Sequence, residues 1–134
     1  MKSPLAGGFL TGKLTPNTGP DELKGTRFEI ADDNPFGKAF RHWYDKPSMH
    51  EAIARLRTLA SANNISMEGA ATRWLRFHSA LEAGDGIIVG ASKVQQVEST
   101  SETSVAGPLP SGLVEELSGL WEICKIDGAA IVQY

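Results

Sequence analysis

Gly86-Ile87-Ile88-Val89-Gly90-Ala91-Ser92-Lys93-Val94-Gln95-Gln96 is the stretch that decides the fold class. Its first five residues are a short β-branched run bounded by glycines, the pattern of a strand buried on both faces of a parallel sheet. Ser92 followed three residues on by Gln95 is a capping box, in which side chains satisfy backbone N–H groups that the first helical turn leaves open. The box opens a helix over Val94 and Val97 that runs to about Glu102. Strand, glycine and capped helix make a βα unit, so the chain is expected to be α/β, mostly helical with this one clear strand.

Helical spacing dominates on both sides of that unit. Upstream, Phe36, Phe40, Trp43 and Tyr44 share one face of a short helix within Pro35–Tyr44. Ser48 and Glu51 form a second capping box, and Ile53, Leu56 and Leu59 carry that helix to about Ala62, where Asn63-Asn64 ends it. Ser66 caps a third helix, with Glu68 in its first turn and Ala70, Ala71, Trp74, Leu75 and His78 along it, ending near Ala80 or Leu81. Downstream, Leu113, Val114, Leu117, Leu120, Trp121 and Cys124 mark a last helix from about Ser111, which gives way at Asp127-Gly128 to a short extended or frayed tail. Thr15 to Asn34, rich in Pro, Gly, Asp and Asn, is a long loop, either a flap over a site or a disordered segment. No repeat is visible along the chain, which argues against a solenoid.

Composition bounds the function. The 134 residues, 41% hydrophobic and 22% charged, suit one ordinary globular domain. Thirteen basic and 16 acidic residues give a net charge of −3 with the signs interspersed, so neither a nucleic-acid footprint nor a polybasic membrane anchor is expected. The N-terminal stretch lacks the apolar core of a secretory signal, and no run approaches the roughly 18 apolar residues of a membrane span. Cys124 is the single cysteine, which excludes an intrachain disulfide and favours a reducing, cytoplasmic setting.

Gly7-x-x-x-x-Gly12-Lys13 matches most of a phosphate-binding P-loop. Leu14 stands where that motif needs Ser or Thr for magnesium, no apolar strand precedes Gly7, and Pro16-Asn17 does not open a helix. His50-Glu51 begins like a zinc-protease helix, but Ala54 occupies the second histidine's place, and His42, His50 and His78 are read as surface or packing residues with no metal site. There is no G-x-S-x-G elbow. Two features favour anion binding: the Gly7–Lys13 loop, and the Ser92 helix start beside Gly90. Together they point to a nucleotide, while Ser92 taken alone is also an ordinary helix cap.

Ser3-Pro4-Leu5-Ala6-Gly7-Gly8-Phe9-Leu10-Thr11-Gly12-Lys13 resembles the loop after the seventh strand of aldo-keto reductases, and Gly90-Ala91-Ser92-Lys93-Val94-Gln95-Gln96 resembles the segment after their eighth. Gly25-Thr26-Arg27-Phe28, Arg73-Trp74-Leu75 and Gly107-Pro108-Leu109 extend the likeness over nearly the whole chain, closest to the aflatoxin-aldehyde-reductase branch. The resemblance implies a (β/α)8 TIM barrel with NADPH across the C-terminal ends of its strands. It implies phosphate contacts from Ser3, Pro4, Leu5, Ala6, Gly7 and Lys13. Arg27, Ser92, Lys93 and Gln96 would surround the adenosine end, with basic groups suited to a 2′-phosphate, and Gly90 would permit close backbone approach. Where the family usually has Glu-Asn at its adenine contact this chain has Ser99-Thr100, so Thr100 is the residue carried over there.

The family's chemistry is hydride transfer to a carbonyl, assisted by Asp, Tyr, Lys and His from the first half of the barrel. None of these matches a position in residues 1–134, and neither Tyr44 nor Tyr134 takes the place of the catalytic tyrosine. The resemblance therefore implies a partial aldo-keto reductase domain over 1–134, a truncated NADP-dependent oxidoreductase with its first barrel half absent. It would be inactive alone and act on a small-molecule carbonyl if completed. The other expectation is a non-catalytic remnant or binding module that associates with a barrel protein or forms an oligomer. A lone strand over Ile87–Val89 would leave backbone groups unpaired at about 1–3 kcal/mol each, so the isolated chain is expected to be a marginally stable helical cluster.

Overall fold

The computed structural model describes residues 3–131. Five α-helices follow two 3₁₀ segments: Ala6–Thr11 and Pro20–Leu23, then α1 Gly37–Tyr44, α2 Pro47–Ala62, α3 Met67–His78, α4 Val94–Val105 and α5 Ser111–Gly128. α2 packs along α5, α3 packs along α4, and α3 also touches α2 and the Ala6–Thr11 turn.

α2 shows why the helices assemble. Met49, Ala52, Ile53, Leu56, Leu59 and Ala60 are its buried residues, and their three- and four-residue spacing gives one continuous apolar stripe. That stripe sits in the main core with Phe9, Leu14, Leu23, Phe28 and Phe40. Leu59 joins Leu109 and Leu113 in a smaller cluster beneath α5.

The capping of α2 corrects the sequence reading. Ser48 caps nothing: the helix begins one residue earlier with Pro47, whose fixed φ and missing N–H suit the first helical position. The Ser48 hydroxyl instead donates to the Asp127 carboxylate, tying the start of α2 to the end of α5. Ser66 does cap α3, its Oγ accepting from the Gly69 N–H at 2.9 Å. α3 stops at His78, where Ser79 is already extended.

The expected strand is not found among the described residues. Across 86–90 the chain is extended, and Ile88 alone carries a bridge residue while being 68% exposed. A strand acquires its definition from neighbours that accept its N–H groups and donate to its carbonyls, and no sheet stands beside it among the described residues. Thr15–Asn34 departs from expectation in the other direction. Leu23 and Phe28 are buried at 1% and 2% exposure, Arg41 Nε donates to the Phe28 carbonyl at 2.9 Å, and Asn34 Nδ2 donates to the Glu29 carbonyl at 2.7 Å. The loop is packed, not disordered. The tail beyond residue 131 lies outside the described residues.

Candidate functional site

The Gly7–Lys13 loop is built from two short 3₁₀ turns joined at Gly7 and Gly8, which have φ of 67° and 104°. Ser3 and Ala6 also lie at positive φ, 59° and 50°, and the turn is closed by Ala6 N–H to Ser3 O at 2.9 Å and Gly8 N–H to Leu5 O at 2.8 Å. Gly12, at φ 74°, ends it. Arg57 Nη2 on α2 donates to the Gly12 carbonyl at 2.9 Å, a tether from a residue that no motif marks.

Phe9 anchors the whole turn. It is 3% exposed and stacks on Tyr44 with ring centroids 5.2 Å apart at 19°. His50 meets Phe9 edge-on, its Nε2 paired with Asp45 Oδ1 at 2.7 Å. Burial holds the Tyr44 hydroxyl above its ordinary pKa, so it stays neutral far into alkali.

The first group of expected ligand residues is therefore fixed in space. Ser3 is exposed, Pro4, Leu5, Ala6 and Gly7 are half-buried, and Lys13 emerges into solvent beyond the Gly12 cap. Arg27, from the packed loop, lies over the Phe40 ring at 5.7 Å, and a Cβ on Gly7 would fall 2.1 Å from Cε1 of that same ring. Arg27 thus joins the Ser3–Gly7 turn through Phe40. It also borders a polar hollow with Gly25, Thr26, Glu29, Asp33 and Asn34.

The second group is displayed differently. Gly90, Ser92, Lys93 and Gln96 are all exposed, and no atom lies within 4 Å of a Cβ built on Gly90. The helix here starts at Val94, so its third position is Gln96 rather than Gln95. Gln96 Oε1 accepts from the N–H of Ser92 at 2.9 Å and of Lys93 at 3.2 Å, which holds those two residues at the head of α4. Thr100 is only 8% exposed. It sits one turn before Thr103, whose methyl lies toward Gly69 of α3. α3 is the element that touches both the Ala6–Thr11 turn and α4.

Two segments singled out separately in the sequence meet across α3. Arg73 Nε donates to Gly107 O at 2.7 Å and Nη2 to Pro108 O at 2.8 Å, while His78 Nε2 accepts from the Leu109 N–H at 2.9 Å. That last bond gives His78 a packing role. Cys124 is half-buried and its thiol donates to Leu120 O at 3.4 Å. Burial, with Asp127 nearby, raises its pKa, the opposite of an activated thiolate.

Among the described residues Lys13, Arg27 and Lys93 are exposed and make no ion pair, and the Glu29 carboxylate near Arg27 already accepts from the Gly25 N–H at 2.7 Å. Gly7, Gly8 and Gly12 lie at positive φ in the first segment, whereas neither Gly86 nor Gly90 does in the second.

Residues 2–122 match the Aldo/keto reductase family, and the chain belongs to it. An aldo-keto reductase of Pseudocercospora fijiensis is 34% identical over 129 residues, covering 95% of this chain and 42% of that protein. Oxidoreductase sirO of Leptosphaeria maculans is 42% identical over 96 residues, covering 70% of this chain and 29% of that protein. Aflatoxin B1 aldehyde reductase member 2 of Rattus norvegicus is 33% identical over 127 residues, covering 90% and 34%. The chain spans between 29% and 42% of the length of these relatives. A (β/α)8 barrel is the fold this family implies, and the described residues are mostly helical. No helix among them is long and apolar enough to cross a membrane.

Proposed function

We propose that this chain carries the nucleotide-gripping part of an NADPH-dependent aldo-keto reductase that reduces a small carbonyl compound to an alcohol in the cytoplasm. The observation that carries this reading is the family match through both glycine-bounded segments, 3–13 and 90–96. Bound NADPH would supply the hydride. Lys13 and the Ser3–Gly7 backbone would offset the charge of the bridging phosphates. Arg27, Ser92 and Lys93 would receive the 2′-phosphate that separates NADPH from NADH, and Gln96 would keep Ser92 and Lys93 in place. The resemblance implies that the tetrad falls outside this chain, so turnover is expected only when that part is supplied.

A second reading is a non-catalytic module that associates with a barrel protein or another copy. It is favoured by the exposure of Ile88, Val94 and Val97, at 68%, 73% and 51%. Fluorescence titration of NADPH with the purified chain separates the two. Saturable binding that weakens in Arg27→Ala and Lys93→Ala supports the reductase reading. Absence of binding, alone and with the remaining barrel segment co-expressed, overturns it. Carbonyl-dependent NADPH oxidation should be absent for the chain alone and appear on co-expression.

A further inference from the structure

Phe40 belongs to no motif, yet its side chain meets both Arg27 and the Gly7 turn. Its ring is 9% exposed and clamped on three sides. Phe28 meets it at 90° with centroids 5.9 Å apart, Trp43 lies at 5.5 Å and Tyr44 at 6.0 Å. A ring so held has no second rotamer to visit, so whatever rests on it inherits its position. The Gly7 main chain presses against the ring edge, since a Cβ there would lie 2.1 Å from Cε1. The Arg27 guanidinium, with no carboxylate partner among the described residues, is held over the same ring at 5.7 Å. The attraction is that of a cation for the negative face of an aromatic ring.

We infer that Phe40 is a positioning residue, setting the Arg27 guanidinium beside the Gly7 turn and thereby the preference for a 2′-phosphorylated nucleotide over its unphosphorylated counterpart. The inference rests on the NADPH reading above and deepens it. Without the ring, an exposed arginine on a loop samples many rotamers and must be ordered by the ligand itself. With it, that ordering is complete before binding.

The test uses the purified chain with NADPH and NADH as probes. Phe40→Leu keeps apolar bulk but removes the π face, and is expected to weaken NADPH binding about three- to fivefold with NADH binding unchanged. Phe40→Tyr should retain parental binding. Arg27→Gln should lose at least as much as Phe40→Leu, and the double variant should lose no more than Arg27→Gln alone. In the ligand-free protein the Arg27 side-chain protons should show an upfield ring-current shift that Phe40→Leu abolishes. This readout persists even if Phe40→Leu lowers thermal stability. Equal losses for the two nucleotides, additive losses in the double variant, or no ring-current shift in the parent overturn the inference. A parent with the shift but no saturable NADPH binding overturns the NADPH reading and the inference with it.

Discussion

The Ser3–Lys13 turn and the 86–96 segment are both glycine-rich stretches expected to bind one ligand, yet they are supported in opposite ways. In the first, Phe9 is buried at 3% exposure and a Cβ on Gly7 would collide with Phe40. In the second, Val94 is 73% exposed and nothing lies within 4 Å of a Cβ on Gly90. A glycine motif is thus shaped by what packs against it. The first is an element of the core, whereas the second is held at its helix end chiefly by the Gln96 side chain.

The largest expected contrast comes from truncating each segment's apolar residue. Phe9→Ala should cost about 3–5 kcal/mol and Val94→Ala less than about 0.5. Denaturant unfolding followed by circular dichroism measures both, and comparable losses would break the comparison. Next come the glycines. Gly7→Ala combines a positive φ with a clash against a clamped ring and should cost about 2–4 kcal/mol. Gly90→Ala should stay within about 0.5 kcal/mol of the parent, and thermal melts compare the pair directly.

The smallest effect is on pH dependence and sharpens the contrast by location. Tyr44, stacked on Phe9, has its folded pKa raised by burial above the ordinary 10.0. The unfolded chain then loses its proton first, so this contribution is intact below pH 10.0 and is lost as pH rises through the folded value. Cys124, also raised mainly by burial, adds a similar loss beginning above its ordinary 9.0. Melting temperatures followed from pH 8 to 12 should fall, and Tyr44→Phe should flatten the upper part of the decline. An unchanged profile in Tyr44→Phe would remove the burial argument for this ring.

Much of the helical layer was legible because its signals are local. The Leu56 and Leu59 spacing, Ser66 with its cap, and the Ser111 start all depend on residues within one or two turns. The errors share one cause. Ser48 had the spacing of a cap but found Asp127, 79 residues away, as its partner, and Ile87–Val89 had strand composition but no neighbouring strand among the described residues. Gln95 was expected as the capping partner where Gln96 serves, because the cap depends on where the helix begins, and Lys93 rather than Ser92 is its N-cap.

By itself the sequence determined the family, the helices and which residues carry anion-seeking chemistry, since these follow from residue type at short spacing. Only the tertiary structure decided which of those residues meet. Arg27 reaches the Gly7 turn through Phe40, and Arg73 reaches Gly107 and Pro108 from α3. It also buried Thr100 and left Lys93 in solvent. The physical reason is that partners distant along the chain are selected by the packing of whole helix faces, which no local pattern of residues specifies.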